Sequence, residues 1–130
     1  MKKTALVTHE ECLKHLTPPG HPEQVARLEY ILESLKDINL LRVSAPMAAD
    51  DDILRIHPRE YINYLQEAVP ENGFKSLDGD THISYGSLTA AYRAAGGVLR
   101  AVDLVLSGEA KNAFVAVRPP GHHAETQTSM

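Results

Sequence analysis

The residues best equipped for chemistry form one short segment near the end of the chain, Arg118-Pro119-Pro120-Gly121-His122-His123-Ala124-Glu125. Two prolines and a glycine make a stiff turn that can continue neither a helix nor a central strand. Two imidazoles follow at once, and imidazole is the side chain whose ordinary pKa lies near neutrality, which suits it to proton transfer. On an extended segment neighbouring side chains point to opposite sides, so His122 and His123 are expected to do two separate jobs around one substrate rather than share a metal ion. The plainer reading is a turn bearing two solvated histidines.

The elements that would position this segment alternate between strand and helix. Ala113–Val117 is a short apolar run suited to a buried strand that empties into the turn, as open α/β sheets build sites at the carboxyl ends of their strands. Thr4–Thr8 is a second strand, and Leu41–Ala45 a third, alternating with period two and bounded by Pro46. From Pro22 to about Lys36 the residues Val25, Leu28, Ile31, Leu32 and Leu35 make one apolar stripe, predicting a helix with Pro22 and Glu23 in its first turn. Asp50-Asp51-Asp52 reads as an acidic cap of a short helix. Pro58 opens another helix to about Ala68, with Tyr61, Ile62, Tyr64 and Leu65 on its buried face. Residues 69–86 read as a loop, and a long helix follows over about 87–107. Its inner side is expected to carry Leu88, Ala91, Ala95, Val98, Leu99, Val102, Val105 and Leu106. Gly96-Gly97 in mid-helix costs on the order of 1 kcal/mol each relative to alanine, which implies close approach to another backbone; Gly108 is placed to end the helix. The order of elements predicts an α/β fold with a parallel sheet between helical layers.

Composition narrows the class only slightly. Hydrophobic residues at 43% and charged residues at 23% are ordinary for a globular domain, and a net charge of −4 gives no electrostatic case for nucleic acid or an anionic membrane. The single cysteine, Cys12, excludes an intrachain disulfide and a cysteine-rich zinc site. No apolar run has the roughly 18–20 residues of a membrane span, and Met1-Lys2-Lys3-Thr4 leads into no long apolar signal core; a cytoplasmic location is the expectation.

The Pro-Pro-Gly-His-His segment resembles the tandem-histidine motif of the zinc-dependent histone deacetylase superfamily, with its bacterial deacetylase-like amidohydrolases, acetylpolyamine deacetylases and acetoin-utilisation proteins. Gly20-His21-Pro22-Glu23 followed by Arg27-Leu28 resembles the family's early His-Pro-Glu segment, and Ile56-His57-Pro58-Arg59-Glu60-Tyr61 its Val-His-Ser-x-x-Tyr segment. Asp80-Thr81 and the Ala/Gly-rich stretch 90–102 resemble the loop and helix before the histidines. The landmarks keep the family's order over essentially all 130 residues, covering the amino-terminal third of its catalytic domain.

The resemblance implies an arginase/deacetylase-like three-layer fold and hydrolysis of an acetylated amine by metal-activated water. His122 and His123 would be the catalytic pair, the second usually assigned as general base and acid and the first as its electrostatic partner. Arg27 would line an internal product channel, its guanidinium buried against carbonyls near the Pro119–Gly121 turn. Asp80, or else Asp78, would be the rim acid that binds the substrate backbone, with Gly121 on the substrate-binding turn. His9, His15, His21, His57 and His82 are left structural or solvated. The family's zinc ligands (an Asp-x-His pair and a further Asp) and its carbonyl-polarising tyrosine come after the tandem histidines, and nothing after His123 matches them. The chain is therefore expected to be the amino-terminal portion of one catalytic domain, cut in mid-loop. By itself it is expected to bind no zinc, to be inactive and to associate with itself. Two other readings stay open: a non-catalytic fragment acting only through association, and an unrelated small α/β binding module.

Overall fold

Ala5, Leu6 and Val7 are essentially inaccessible to solvent, and the strand that holds them, β1 (Thr4–Thr8), is the middle of the sheet. In a computed structural model that describes residues 1–129, β1 pairs in parallel with β2 (Leu41–Ser44) on one side and β5 (Asn112–Val115) on the other. The order is β2-β1-β5, with Leu6 opposite Arg42 and Phe114. Both flanking strands run one or two residues shorter than their apolar runs, but the ladder continues past them. The amide of Ala45 donates to the Thr8 carbonyl at 2.8 Å, and that of Ala116 to the Val7 carbonyl at 2.9 Å.

A strand buried on both faces needs cover on both sides, and alternate residues of β1 find it in different layers. Ala5 and Val7 pack with Ala45, Ala101, Leu104 and Ala110, on the side of the long helix α4 (Ser87–Leu106). Leu6 packs with Cys12, Leu28 and Ala116, joined by Leu32 and Leu35 of α1 (Val25–Leu35). The result is the expected three-layer α/β arrangement. Among the described residues no helix is long and apolar enough to cross a membrane.

Helix α1 begins three residues later than Pro22. The amide of Glu23 donates to His21 Nδ1 at 3.1 Å, its carbonyl accepts from Thr17 Oγ1 at 2.7 Å, and Gln24 is extended, so Pro22 and Glu23 belong to a turn. The Glu23 carboxylate, expected to favour the helix dipole, is engaged elsewhere. Helix α2 (Asp50–Ile53) is capped from within: Asp52 accepts from the Ala49 amide at 3.2 Å. Asp50 instead ties α2 to its neighbours, accepting from Arg59 at 3.0 Å and from the Tyr92 hydroxyl at 2.8 Å. Helix α3 (Arg59–Ala68) buries Tyr61, Ile62 and Ala68, whereas Tyr64 is exposed.

The inner face of α4 differs from the expected one. Ser87, Ala90, Gly96, Gly97, Ala101 and Leu104 are buried, while Val98 and Val102 are half exposed and Leu106 is 80% exposed. The small residues win because they let the helix lie against main chain. A Cβ on Gly96 would stand 1.9 Å from the Pro46 carbonyl oxygen, and one on Gly97 3.1 Å from Ala45 Cβ. The mid-helix glycines thus have the close approach that their cost implies. Gly108, at φ +79°, ends the helix as expected. The 69–86 connection is not wholly irregular: β3 (Lys75–Ser76) and β4 (His82–Ile83) form a two-residue antiparallel hairpin.

Candidate active site at the tandem-histidine turn

Beyond β5 the chain is held to β1 once more, by Thr8 Oγ1 donating to the Ala116 carbonyl at 2.7 Å. Arg118 follows and is 1% exposed. Its Nη1 donates to the carbonyls of Cys12 at 3.0 Å and His15 at 2.6 Å. Its Nε and Nη2 grip the two oxygens of Glu23 at 3.0 and 2.7 Å. A buried guanidinium needs such a carboxylate to offset its desolvation. Burial alone would raise the Glu23 pKa, but the hydrogen bonds and charge of Arg118, helped by His15 and Arg27, hold it below the usual value.

The peptide bond from Arg118 to Pro119 is cis, and the turn closes with the Ala124 amide donating to the Gly121 carbonyl at 2.9 Å. Within it His122 and His123 lie side by side, ring centroids 4.3 Å apart and planes inclined at 56°. This corrects the expectation of opposed side chains: the segment is a turn, so the alternation of an extended strand does not apply. Gly121 and both histidines are exposed. The far end of the turn is anchored on α3 and the residues before it. His57 Nδ1 donates to the Thr126 carbonyl at 2.8 Å, and the Tyr61 hydroxyl is hydrogen-bonded to Ser129 Oγ.

The structure separates the two candidate rim acids. One oxygen of Asp78 accepts the amides of Asp80 and Thr81, both at 2.8 Å, making the carboxylate part of the β3–β4 turn; those amides, chiefly that of Asp80, keep its pKa below the ordinary value. Asp80 is left with a largely exposed side chain, 3.2 Å from His21 Nε2. Because His21 Nδ1 already accepts the Glu23 amide, Nε2 carries the hydrogen and donates towards Asp80.

Arg27 does not sit where it was expected. Its side chain is 52% exposed and donates to Glu23 Oε1 at 2.9 Å, one turn back along the chain, and among the described residues no hydrogen bond joins it to the Pro119–Gly121 turn. The guanidinium that is buried against backbone carbonyls is that of Arg118. Sequence reasoning passed over Arg118 and Glu23 as a pair, although an arginine between an apolar strand and two prolines has few ways to reach water, and so needs an acid. His15 is a further buried member: its Nε2 is 3.8 Å from Glu23 and its Nδ1 is 2.6 Å from Ser87 Oγ at the start of α4. Burial, and then the charge of Arg118, push its pKa down to about 4, so the ring is neutral. Among the described residues no group of three or more His, Cys, Asp or Glu side chains is arranged to hold a metal ion.

Comparison with known proteins places the chain among deacetylase relatives. The chain is 39% identical over 128 residues to a protein of Archaeoglobus fulgidus named "Probable deacetylase", a match that covers 94% of this chain and 35% of that one. It is 36% identical over 150 residues to the "Histone deacetylase-like amidohydrolase" of Pseudomonas aeruginosa, covering 99% of this chain and 39% of that one. The crystal structure of the HDA15 HD domain superposes with a TM-score of 0.87 at 28% identity, covering 98% of this chain and 39% of that one. The chain therefore spans well under half the length of the relatives it matches. The profile described as "Histone deacetylase domain" matches residues 21–130, and the chain belongs to that family.

Proposed function

We propose that this chain is the amino-terminal portion of a hydrolase that deacetylates an acetylated amine, an acetyl-lysine, an acetylpolyamine or a similar small N-acyl amine, with His122 and His123 as its acid–base pair. The observation that carries the reading is the pair itself: two imidazoles, ring centroids 4.3 Å apart, on a stiff turn at the carboxyl end of a strand. Such a pair suits a reaction in which one group accepts a proton from the attacking water and an imidazolium returns one to the departing amine. With the two rings this close, the roles are proposed for the dyad, with His123 the base and acid and His122 its partner. Asp80, at the tip of the β3–β4 hairpin, is the proposed acceptor for substrate amides, and Gly121 supplies backbone beside the pair.

The family is generally zinc-dependent, but the described side chains offer no ligand set. Zinc in the working enzyme would be held by residues outside 1–130. Residues 1–130 alone are accordingly proposed to be inactive and to associate with themselves. The test uses the full-length gene product and an acetyl-lysine reporter. His123→Ala should lower kcat by roughly 10²–10⁴-fold with metal content unchanged, and His122→Ala by the same or slightly less. Near-normal kcat in both variants would return the pair to a solvated turn.

A further inference from the structure

The tandem-histidine turn has little structure of its own: among the described residues its internal backbone hydrogen bonds are those from Ala124 to Gly121 and from Glu125 to Thr128, and His122 and His123 are exposed. Its take-off from the sheet is nevertheless fixed, because Arg118 is locked by four hydrogen bonds to three separate places, the carbonyls of Cys12 and His15 and the carboxylate of Glu23. Glu23 is itself held at its amide by His21, at its carbonyl by Thr17 and at Oε1 by Arg27. We propose that Arg118 and Glu23 are positioning residues for His122 and His123. The two-pronged pair sets where the Pro119–Gly121 turn leaves the sheet, and through it where the imidazoles stand.

The chemistry of the pair favours this over a role in stability alone. A buried ion pair adds little net stability over an apolar side chain of the same volume, so stability by itself gives no reason to place an arginine there. What the guanidinium offers is a rigid planar fork, fixed in both position and orientation by two parallel bonds to one carboxylate and by further donors at set angles. Reacting groups need that kind of placement, since a shift of about 1 Å can cost on the order of 10²-fold in rate. The inference depends on the proposed function for its kinetic consequence only; the positional one stands apart.

The test compares Arg118→Lys and Glu23→Gln with wild type in the full-length gene product. Lysine keeps the charge and loses the fork, while glutamine keeps one acceptor for it. Both should lower kcat by about 10–100-fold and leave KM within about threefold. In histidine-labelled protein the ring cross-peaks of His122 and His123 should move, while that of His9, which is hydrogen-bonded within its own turn, should stay. Folded variants with unchanged kcat and unchanged ring signals overturn the proposal. So does a fall in activity that merely follows the loss of folded protein, or failure of both variants to fold, either of which assigns the pair to stability. If wild type hydrolyses no acetylated amine, the functional reading fails, and the ring signals alone then decide the positional one.

Discussion

Acidification from pH 7 to pH 5 should cost this chain about 2 kcal/mol of stability through one side chain, His15. The ring is buried, and burial followed by the charge of Arg118 lowers its pKa from 6.5 to about 4, against the opposing pull of Glu23. Its bonding agrees with a neutral ring. Ser87 Oγ accepts the Ser84 amide at 2.7 Å, so the serine hydroxyl has its hydrogen free for His15 Nδ1, and Nε2 keeps a hydrogen facing Glu23. Between the two pKa values the unfolded chain binds a proton that the folded one refuses, so stability rises with pH across that window and is flat above it. At roughly 1.4 kcal/mol per unit, the full loss is about 3 kcal/mol below pH 4, and about 2 kcal/mol is already gone at pH 5. Glu23 does not confuse the measurement. Its pKa is lowered, so its contribution is present above the ordinary value of 4.5 and is lost only at lower pH. Urea unfolding at pH 7, 6 and 5 measures the slope, and His15→Asn, whose amide oxygen replaces the Nδ1 acceptor without titrating, supplies the control. The variant should lose about 2 kcal/mol less than wild type between pH 7 and pH 5. Equal losses in the two proteins would refute the assignment of a buried, neutral His15.

Gly96→Ala should destabilise the chain by on the order of 3 kcal/mol or more, because its Cβ would meet the Pro46 carbonyl oxygen at 1.9 Å; urea midpoints matching wild type would refute the close approach. Gly97→Ala, whose nearest neighbour is the Ala45 methyl at 3.1 Å, should be much milder in the same assay. Residues 1–130 alone should bind no stoichiometric zinc and turn over no acetyl-lysine reporter, which metal analysis and a fluorescence assay would check. The outer face of α4, with Val98, Val102 and Val105 each between 38% and 50% exposed, should make the isolated chain a dimer or larger at micromolar concentration. Light scattering that shows a monomer would refute that.

The sheet was legible because its strands depend on a local property. Ala5-Leu6-Val7 and Ala113–Val115 are apolar runs bounded by polar or turn residues, and such runs pair in parallel when helices intervene. What failed depended on contacts between distant residues. The start of α1 moved because Glu23 is drawn to Arg118, a partner 95 positions away. The face of α4 was misassigned because bulk suggested Val98 and Val102, whereas approach to Pro46 and Ala45 selects Gly96, Gly97 and Ala101. The histidine pair was legible as a motif, but its geometry was not, since no periodicity says how a Pro-Pro-Gly turn aims two rings. Arg27, expected to be buried, has a half-exposed side chain, and the guanidinium buried against carbonyls is that of Arg118, which the sequence had marked only as the start of the motif.

The strand order also sets a timetable for synthesis. Strand β1 is complete once residue 8 is made, and its partner β2 is complete at residue 44, but the other partner, β5, is not complete until residue 115. At about 5–20 residues per second the first apolar strand waits roughly 5–20 s with one edge unpaired. Non-local parallel pairing of this kind is slow to form, because loop closure must precede any reward from contact. Leu6 and Val7, among the most completely buried residues of the finished fold, are thus the residues longest at risk of pairing with another nascent chain.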